Sequence, residues 1–241
     1  MCLRFPTAVA AAAALVLVAG SAARAETVDV ALALAADVSR SIDDGEFQLQ
    51  RQGYARAVTD PRVLDAIKAG VHGAVALCFI EWAGPGQQAV VAKWEVIRDG
   101  ETAADFAATL LKMPRSFAGR TAIGDGIGFA MAQLAASGVD APRKVIDVSG
   151  DGTNNAGRPV TEARDDAVKA GLTINGLAII NDRPIGFLYQ HTQPPGGLPN
   201  YYRDNVIGGE NAFLLVVQNF STFADAMVNK LLTEIASAAT P

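Results

Sequence analysis

The sequence predicts an α/β fold with a Rossmann-like, doubly wound and mostly parallel sheet, an antiparallel edge strand, and helices on both faces. Residues 28–36 form a nearly continuous apolar run closed by Asp37, which is typical of a parallel strand buried on both faces. Further apolar runs alternate with segments of helical periodicity. Two strand-like segments are joined by the turn Gly84-Pro85-Gly86, which predicts an antiparallel hairpin.

The first half of the chain supplies three predicted strands and three predicted helices. Residues 28–36 form the first strand, and Ser41 is suited to cap the helix that follows it. Apolar residues of that helix recur at helical spacing until Asp60-Pro61 interrupts the pattern. The other elements of this half are the two hairpin strands and two helices, at residues 71–82, 88–96, 102–113 and about 121–137.

The second half continues the alternation. Three predicted strands and two predicted helices cover, in order, residues 144–148, 160–170, 172–180, 212–217 and 220–236. An insertion at about residues 181–209, rich in proline and tyrosine, separates the last two strands. Loops of this length often carry a function.

Residues 1–25 predict a secretory signal peptide. Arg4 gives a positive start, residues 8–20 form an apolar run, and Ala23-Arg24-Ala25 has the small-x-small pattern that signal peptidase requires. The apolar run is shorter than the roughly 20 residues needed to cross the hydrocarbon core of a membrane. We therefore expect residues 26–241 to form one exported domain, periplasmic or secreted, without a membrane span.

Composition restricts the partners and the chemistry of this domain. Without the two arginines of the signal peptide, 18 basic residues face 25 acidic ones, and the net charge changes from −5 to −7. This charge argues against nucleic acid and anionic lipid as partners. Only Cys78 remains outside the signal peptide, so no intramolecular disulfide can form, and its apolar surroundings predict a buried structural residue.

Three segments bring oxygen-bearing side chains to the carboxyl end of the predicted sheet, where ligands bind in open α/β folds. The first is the segment 37–41, in which alternate positions carry a carboxylate and two hydroxyls. The second contributes a threonine at a helix start, and the third contributes an aspartate after a strand that should neighbour the first. The candidates are Asp37, Ser39, Ser41, Thr121 and Asp151.

An all-oxygen set of this kind suits a hard divalent cation. Mg²⁺ is the first expectation and Mn²⁺ or Ca²⁺ the next, whereas zinc favours cysteine and histidine. Because Mg²⁺ requires an octahedron of oxygens, these protein groups would leave at least one position open to an outside ligand. A carboxylate from a protein or peptide partner is the natural ligand there, since it neutralises charge as water cannot.

The Asp-x-Ser-x-Ser loop after a first strand, a threonine opening a later helix after Gly-Arg, and an Asp-Gly after a later strand together resemble the metal-ion-dependent adhesion site of von Willebrand factor A domains. The resemblance covers residues 27–236 and is closest to a bacterial exported branch of that family. It implies that the five candidates are the metal residues, with the serines and the threonine often binding directly and the aspartates through water. Many members have Thr-Asp-Gly where this chain has Ser149-Gly150-Asp151-Gly152, so an extra glycine precedes the aspartate here.

Several polar residues near these segments have a second interpretation. Asp43 and Asp44 resemble a second, adjacent metal site of integrin β subunits, but acids in a first helical turn also interact favourably with the helix dipole, which we favour. Asp125, one turn past Thr121, either supports the site or is a solvated helix residue. Asn154 and Asn155 are interpreted as part of a turn.

The sequence predicts binding rather than catalysis. No motif places His72 or His191 as a general base, and no Gly-x-Ser-x-Gly nucleophile elbow is present. We therefore expect an exported metal-dependent binding or adhesion module and not an enzyme, with the exposed pair Tyr201-Tyr202 as hypothetical contact anchors. One alternative is a metal-assisted hydrolase of a phosphate or ester, because an open cation can polarise such a bond. A structural envelope protein that does not use the metal is a third class.

Overall fold

The computed structural model describes residues 25–180 and 194–236. The predicted signal peptide, apart from Ala25, lies outside the described residues. The same is true of residues 181–193, which form the first part of the predicted insertion and include His191.

The described chain alternates strands and helices. The strands are β1 (Glu26–Thr27), β2 (Val30–Asp37), β3 (Val75–Trp82), β4 (Gln88–Ile97), β5 (Val139–Asp140), β6 (Arg143–Gly150), β7 (Thr173–Ile179) and β8 (Leu214–Val217). The helices are α1 (Asp44–Val58), α2 (Pro61–Lys68), α3 (Gly100–Lys112), α4 (Ile123–Ala135), α5 (Val160–Lys169), α6 (Gly197–Asn205) and α7 (Phe223–Ala236), with a short 3₁₀ turn at Phe220–Thr222.

Six strands form one twisted sheet in the order β4-β3-β2-β6-β7-β8. All neighbouring strands in it run parallel except β3 and β4, which pair antiparallel at one edge. The predicted fold class, including the antiparallel edge strand, is therefore confirmed. The strands β1 and β5 form a separate two-stranded parallel sheet that the sequence analysis did not predict.

The central strand β2 is buried along its whole length and separates two cores. Its larger side chains, such as Leu32 and Leu34, face the core formed with α1, α2, α3 and α7. Ala31, Ala33 and Ala35 of the same strand face the core formed with α4, α5 and α6. Small residues let α4 approach closely, since a Cβ on Gly126 would lie 2.9 Å from Cγ of Trp82. The start of α4 is thereby held near the carboxyl end of β2.

The helix α1 begins later than the predicted cap at Ser41. Its N-cap is Asp43, whose side chain accepts a hydrogen bond from the Glu46 amide at 2.8 Å, while the Glu46 carboxylate accepts one from the Asp43 amide at 3.0 Å. This reciprocal capping box supports the interpretation of Asp43 and Asp44 as acids at a helix N-terminus. Ser41 does not cap the helix, so its hydroxyl can form hydrogen bonds with the neighbouring loops.

A buried group of charges lies beneath β6, on the side of the sheet covered by α1 and α7. Lys230 Nζ is 3.0 Å from both Asp147 Oδ1 and Glu234 Oε1, and all three side chains are fully buried. Asn175 donates to Glu234 at 2.7 Å. Burial raises the pKa of Asp147 to about 7. Lys230 is therefore a buried cation that pairs with two desolvated carboxylates between the sheet and the last helix.

Candidate metal site

Asp37 ends β2 and lies at the floor of the candidate site. Its Oδ1 accepts a hydrogen bond from the Ser39 amide at 2.7 Å, which turns the chain sharply after the strand. Its Oδ2 is buried and has no hydrogen-bond partner among the residues that the structure describes. A buried carboxylate oxygen in this state needs a donor or a cation.

All five candidates predicted from the sequence come together here. Ser41 Oγ donates to Asp151 Oδ1 at 2.6 Å, and the hydroxyls of Ser39 and Ser41 are 3.0 Å apart. Thr121 Oγ1 donates to Ser39 Oγ at 3.4 Å. Asp37, Ser39, Thr121 and Asp151 are buried, and Ser41 is half-buried. The carboxyl ends of β2 and β6 and the segment before α4 thus bring the five side chains together.

The charge at this point is unbalanced. Burial, and next the nearby Asp151 carboxylate, raise the pKa of Asp37 to about 8. Two carboxylates that face each other in a desolvated site disfavour each other's charged form unless a cation lies between them. The donor set, two carboxylates and three hydroxyls, has the chemistry of a hard-cation site. The residues present therefore fit a divalent cation.

Arg115, which no sequence motif indicated, holds the first candidate loop, residues 37–41, in place. One nitrogen of its guanidinium donates to the carbonyls of both Val38 and Ser39 at 2.7 Å. The backbone of the next residue, Ser116, donates to Glu81 at 2.8 Å, and Glu81 forms a buried ion pair with Arg51 at 2.6 Å. The loop that carries Arg115 is thus anchored in the core and fixes the backbone of the Asp-x-Ser-x-Ser segment.

Two asparagines connect the loop after β6, which carries Asp151, to the segment that carries Thr121. Asn155 accepts from the Thr121 amide at 3.0 Å through its side chain, and its own amide donates to the Thr121 carbonyl at 2.9 Å. Asn154 accepts from the Gly124 amide at 3.1 Å and so satisfies a free N–H group at the start of α4. These residues do more than form a turn, because they set the position of Thr121 relative to Asp151.

Asp125 supports the same loop from α4. Its Oδ1 accepts a hydrogen bond from the Arg158 amide at 2.8 Å, and Gly157 approaches so closely that a Cβ there would lie 2.5 Å from Oδ2. The carboxylate is therefore engaged with the segment that follows Asp151. This arrangement favours the supporting role over that of a solvated helix residue.

The insertion reaches the site through α6. Tyr201 accepts a hydrogen bond from the Asn154 amide at 3.1 Å, and the Tyr202 hydroxyl lies next to Gly150, the residue before Asp151. Tyr202 is fully buried and Tyr201 is half-buried, so the expectation of an exposed tyrosine pair is wrong. Leu198 and Tyr202 lie in the core, and the Tyr201 ring packs against it, so both tyrosine rings point inward.

The described part of the chain offers no alternative metal site built from histidine, cysteine or acidic side chains. His72 precedes β3, at the opposite end of that strand from the site, and its amide donates to Asp29 at 2.9 Å. Among residues 25–180 and 194–236, no three His, Cys, Asp or Glu side chains form a group that could hold a metal ion. A site with only two carboxylates and no histidine or cysteine is consistent with this result.

The fold and its topology define a von Willebrand factor A-like domain, and solved structures share it. Proximal thread matrix protein 1 from the mussel byssus, with a zinc-occupied MIDAS motif, matches with a TM-score of 0.58 at 18% identity, covering 86% of this chain and 46% of that one. A von Willebrand factor type A protein from Catenulispora acidiphila matches with a TM-score of 0.58 at 14% identity, covering 88% and 43%. An aerotolerance-related membrane protein from Bacteroides fragilis matches with a TM-score of 0.51 at 20% identity, covering 85% and 99%.

The chain belongs to the family described as "Protein of unknown function (DUF1194)", which matches residues 27–239. It spans less than half the length of the mussel and Catenulispora structures. No curated protein matches its sequence. Within the described residues, no helix is both long enough and apolar enough to span a membrane.

Proposed function

We propose that this protein is an exported binding module that uses a divalent cation to recognise a carboxylate of a protein or peptide partner. The observation that carries the proposal is the meeting of five oxygen-bearing side chains from three loops around the unpartnered Oδ2 of Asp37. The proposed export rests on the signal peptide predicted at residues 1–25, whose removal would leave residues 26–241 as the mature domain.

The proposed metal residues are Asp37, Ser39, Ser41, Thr121 and Asp151. Mg²⁺ is the expected ion because all of these donors are hard oxygens. The mussel protein of the same fold has zinc in its MIDAS motif, which supports a divalent cation without fixing its identity. When bound, the cation supplies an open positive charge that attracts an outside carboxylate.

The chain's own residues suit binding better than turnover. Arg115 and Asn155 hold the metal loops by hydrogen bonds to the backbone, so they keep the site in one arrangement. His72 lies at the opposite end of β3 from the site, so it is not placed to act as a base there. A hydrolase would also need a positioned base or nucleophile. Adhesion or another form of protein binding is therefore the proposed task.

Carboxylate recognition can be tested with acetate and its neutral isostere acetamide. We expect acetate to lower the water-proton relaxation of the Mn²⁺-loaded mature protein, because it displaces metal-bound water, and acetamide to have no effect at the same concentration. Asp37→Asn should show neither bound Mn²⁺ nor an acetate response. Equal responses to the two probes would contradict carboxylate recognition. Cation-dependent hydrolysis of p-nitrophenyl phosphate or p-nitrophenyl acetate would support an enzyme instead.

A further inference from the structure

The helix α6 lies within the predicted insertion, at about residues 181–209, and reaches the candidate metal site. It spans Gly197–Asn205 and packs against β7 and β8. Its residue Tyr202 is fully buried, and the ring lies in the core between the sheet and α4, α5 and α6. The ring places its hydroxyl at the end of β6, beside the strand end that carries Asp37.

Two buried polar atoms without partners meet at this position. Within the described residues, neither the Tyr202 hydroxyl nor Asp37 Oδ2 has a hydrogen-bond partner. A Cβ built on Gly150 would lie 2.6 Å from the hydroxyl and 3.0 Å from Oδ2. Both atoms therefore face the same small space, which only glycine at position 150 leaves open. One atom is a donor and the other is an acceptor, so their requirements are complementary.

We infer that Tyr202 is a positioning residue of the metal site, whose hydroxyl donates a hydrogen bond through one bridging water to Asp37 Oδ2. This inference rests on the proposed function. A phenol suits the role because it is a neutral donor: it orients the carboxylate and leaves its negative charge available to a cation. A lysine or arginine there would neutralise that charge and compete with the metal.

The inference also explains the extra glycine before Asp151. Any side chain at position 150 would separate the hydroxyl from the carboxylate, since its Cβ would come within 3.0 Å of both groups. Gly150 lies in β6, paired with Ala178, and does not have a positive φ, so the requirement is for space and not for an unusual backbone. Gly150 and Tyr202 thus act together, because the glycine leaves open the space between the Tyr202 hydroxyl and the Asp37 carboxylate.

The test compares Mn²⁺ binding by calorimetry with the melting temperature in chelator, using the mature chain and Tyr202→Phe. Groups that orient metal ligands typically contribute 10- to 100-fold to metal affinity, so we expect a rise of about tenfold in the Kd for Mn²⁺. The cation-free melting temperature should change little, because the ring and its packing are kept and the hydrogen bond that is lost is one to water.

Tyr54→Phe is the matched control. The Tyr54 hydroxyl is also fully buried, but it lies on the other side of the sheet and is bonded to Ser149 Oγ at 2.8 Å. Its loss should lower the cation-free melting temperature and leave the Kd unchanged. An unchanged Kd for Tyr202→Phe, with normal binding by the wild type, would overturn the inference and leave the proposed function standing. Failure of the wild type itself to bind Mn²⁺ would overturn both.

Discussion

Replacement of Asp37 by asparagine is expected to abolish divalent-cation binding and at the same time to make the cation-free protein more stable. Asp37 is fully buried, its Oδ2 has no partner within the described residues, and it faces the Asp151 carboxylate. A buried polar group without a partner costs about 1–3 kcal/mol, so we expect a gain of that order in the free energy of unfolding in chelator. The asparagine keeps the oxygen that accepts from Ser39 and adds an amide that can donate to neighbouring oxygens.

Asp43→Asn is the control for this prediction. It removes the same charge from the neighbouring helix start, and asparagine is an equally good N-cap residue, so the helix should be retained. Calorimetry with Mg²⁺ and Mn²⁺ should show near wild-type affinity for Asp43→Asn and no binding for Asp37→Asn. Unfolding by denaturant in chelator measures the stability difference. A cation-free Asp37→Asn protein less stable than the wild type would refute the view that this carboxylate is retained for a ligand.

The second large effect is expected in the core. Lys230→Met should lower the free energy of unfolding by about 3–5 kcal/mol, because it leaves the carboxylates of Asp147 and Glu234 buried without their cation. The methionine fills a similar volume, so the loss reports the charges and not a cavity. Denaturant unfolding at fixed pH and in chelator is the measurement.

Two further variants separate the charge effect from a general loss of packing. Arg56→Met breaks the exposed pair with Asp225, whose side chains are 61% and 72% exposed, and should cost no more than about 1 kcal/mol. Adding Asp147→Asn and Glu234→Gln to Lys230→Met should recover much of the loss, since the uncompensated charges are then gone. A loss for Lys230→Met no larger than that for Arg56→Met would show that the cluster does not hold α7 in the way its geometry indicates.

The central sheet and the convergence of the candidate metal residues could be predicted because both depend on strong local patterns. A long apolar strand such as β2 has few alternatives, and the carboxyl ends of parallel neighbours must lie at one edge of the sheet. Asp37 and Asp151 therefore had to be close once β2 and β6 were adjacent. The order of the strands thus accounts for the closeness of these two residues.

Two helices were missed because proline and glycine have more than one use. The pair Asp60-Pro61 was interpreted as a stop, but it also starts α2, with Asp60 as N-cap and Pro61 in the first turn, where its missing N–H costs nothing. Before α6, Gly196 and Gly197 have φ angles of 81° and 84°, and Pro199 lies in the first turn of the helix. The same residues predict a loop when no tertiary contact is known.

The supporting residues were missed for a different reason. Arg115 acts through contacts with the carbonyls of Val38 and Ser39, which are far from it in sequence, and no local pattern of residues reports such a contact. The contact of Tyr202 with Gly150 likewise depends on tertiary packing, since it is set by how α6 packs. Sequence patterns thus indicate the candidate ligands of a site more readily than the residues that support them.

The most direct test of the central claim is a titration of the wild-type mature protein with Mg²⁺, Mn²⁺ and Ca²⁺, followed by melting temperature. At a cation concentration about 100 times the Kd, ligand linkage predicts a stabilisation of about 2.7 kcal/mol, or a rise of about 5–10 °C for a domain of this size. Chelator should reverse the rise, and Asp37→Asn should not show it. A melting temperature that none of the three cations changes would contradict the assignment of a metal site.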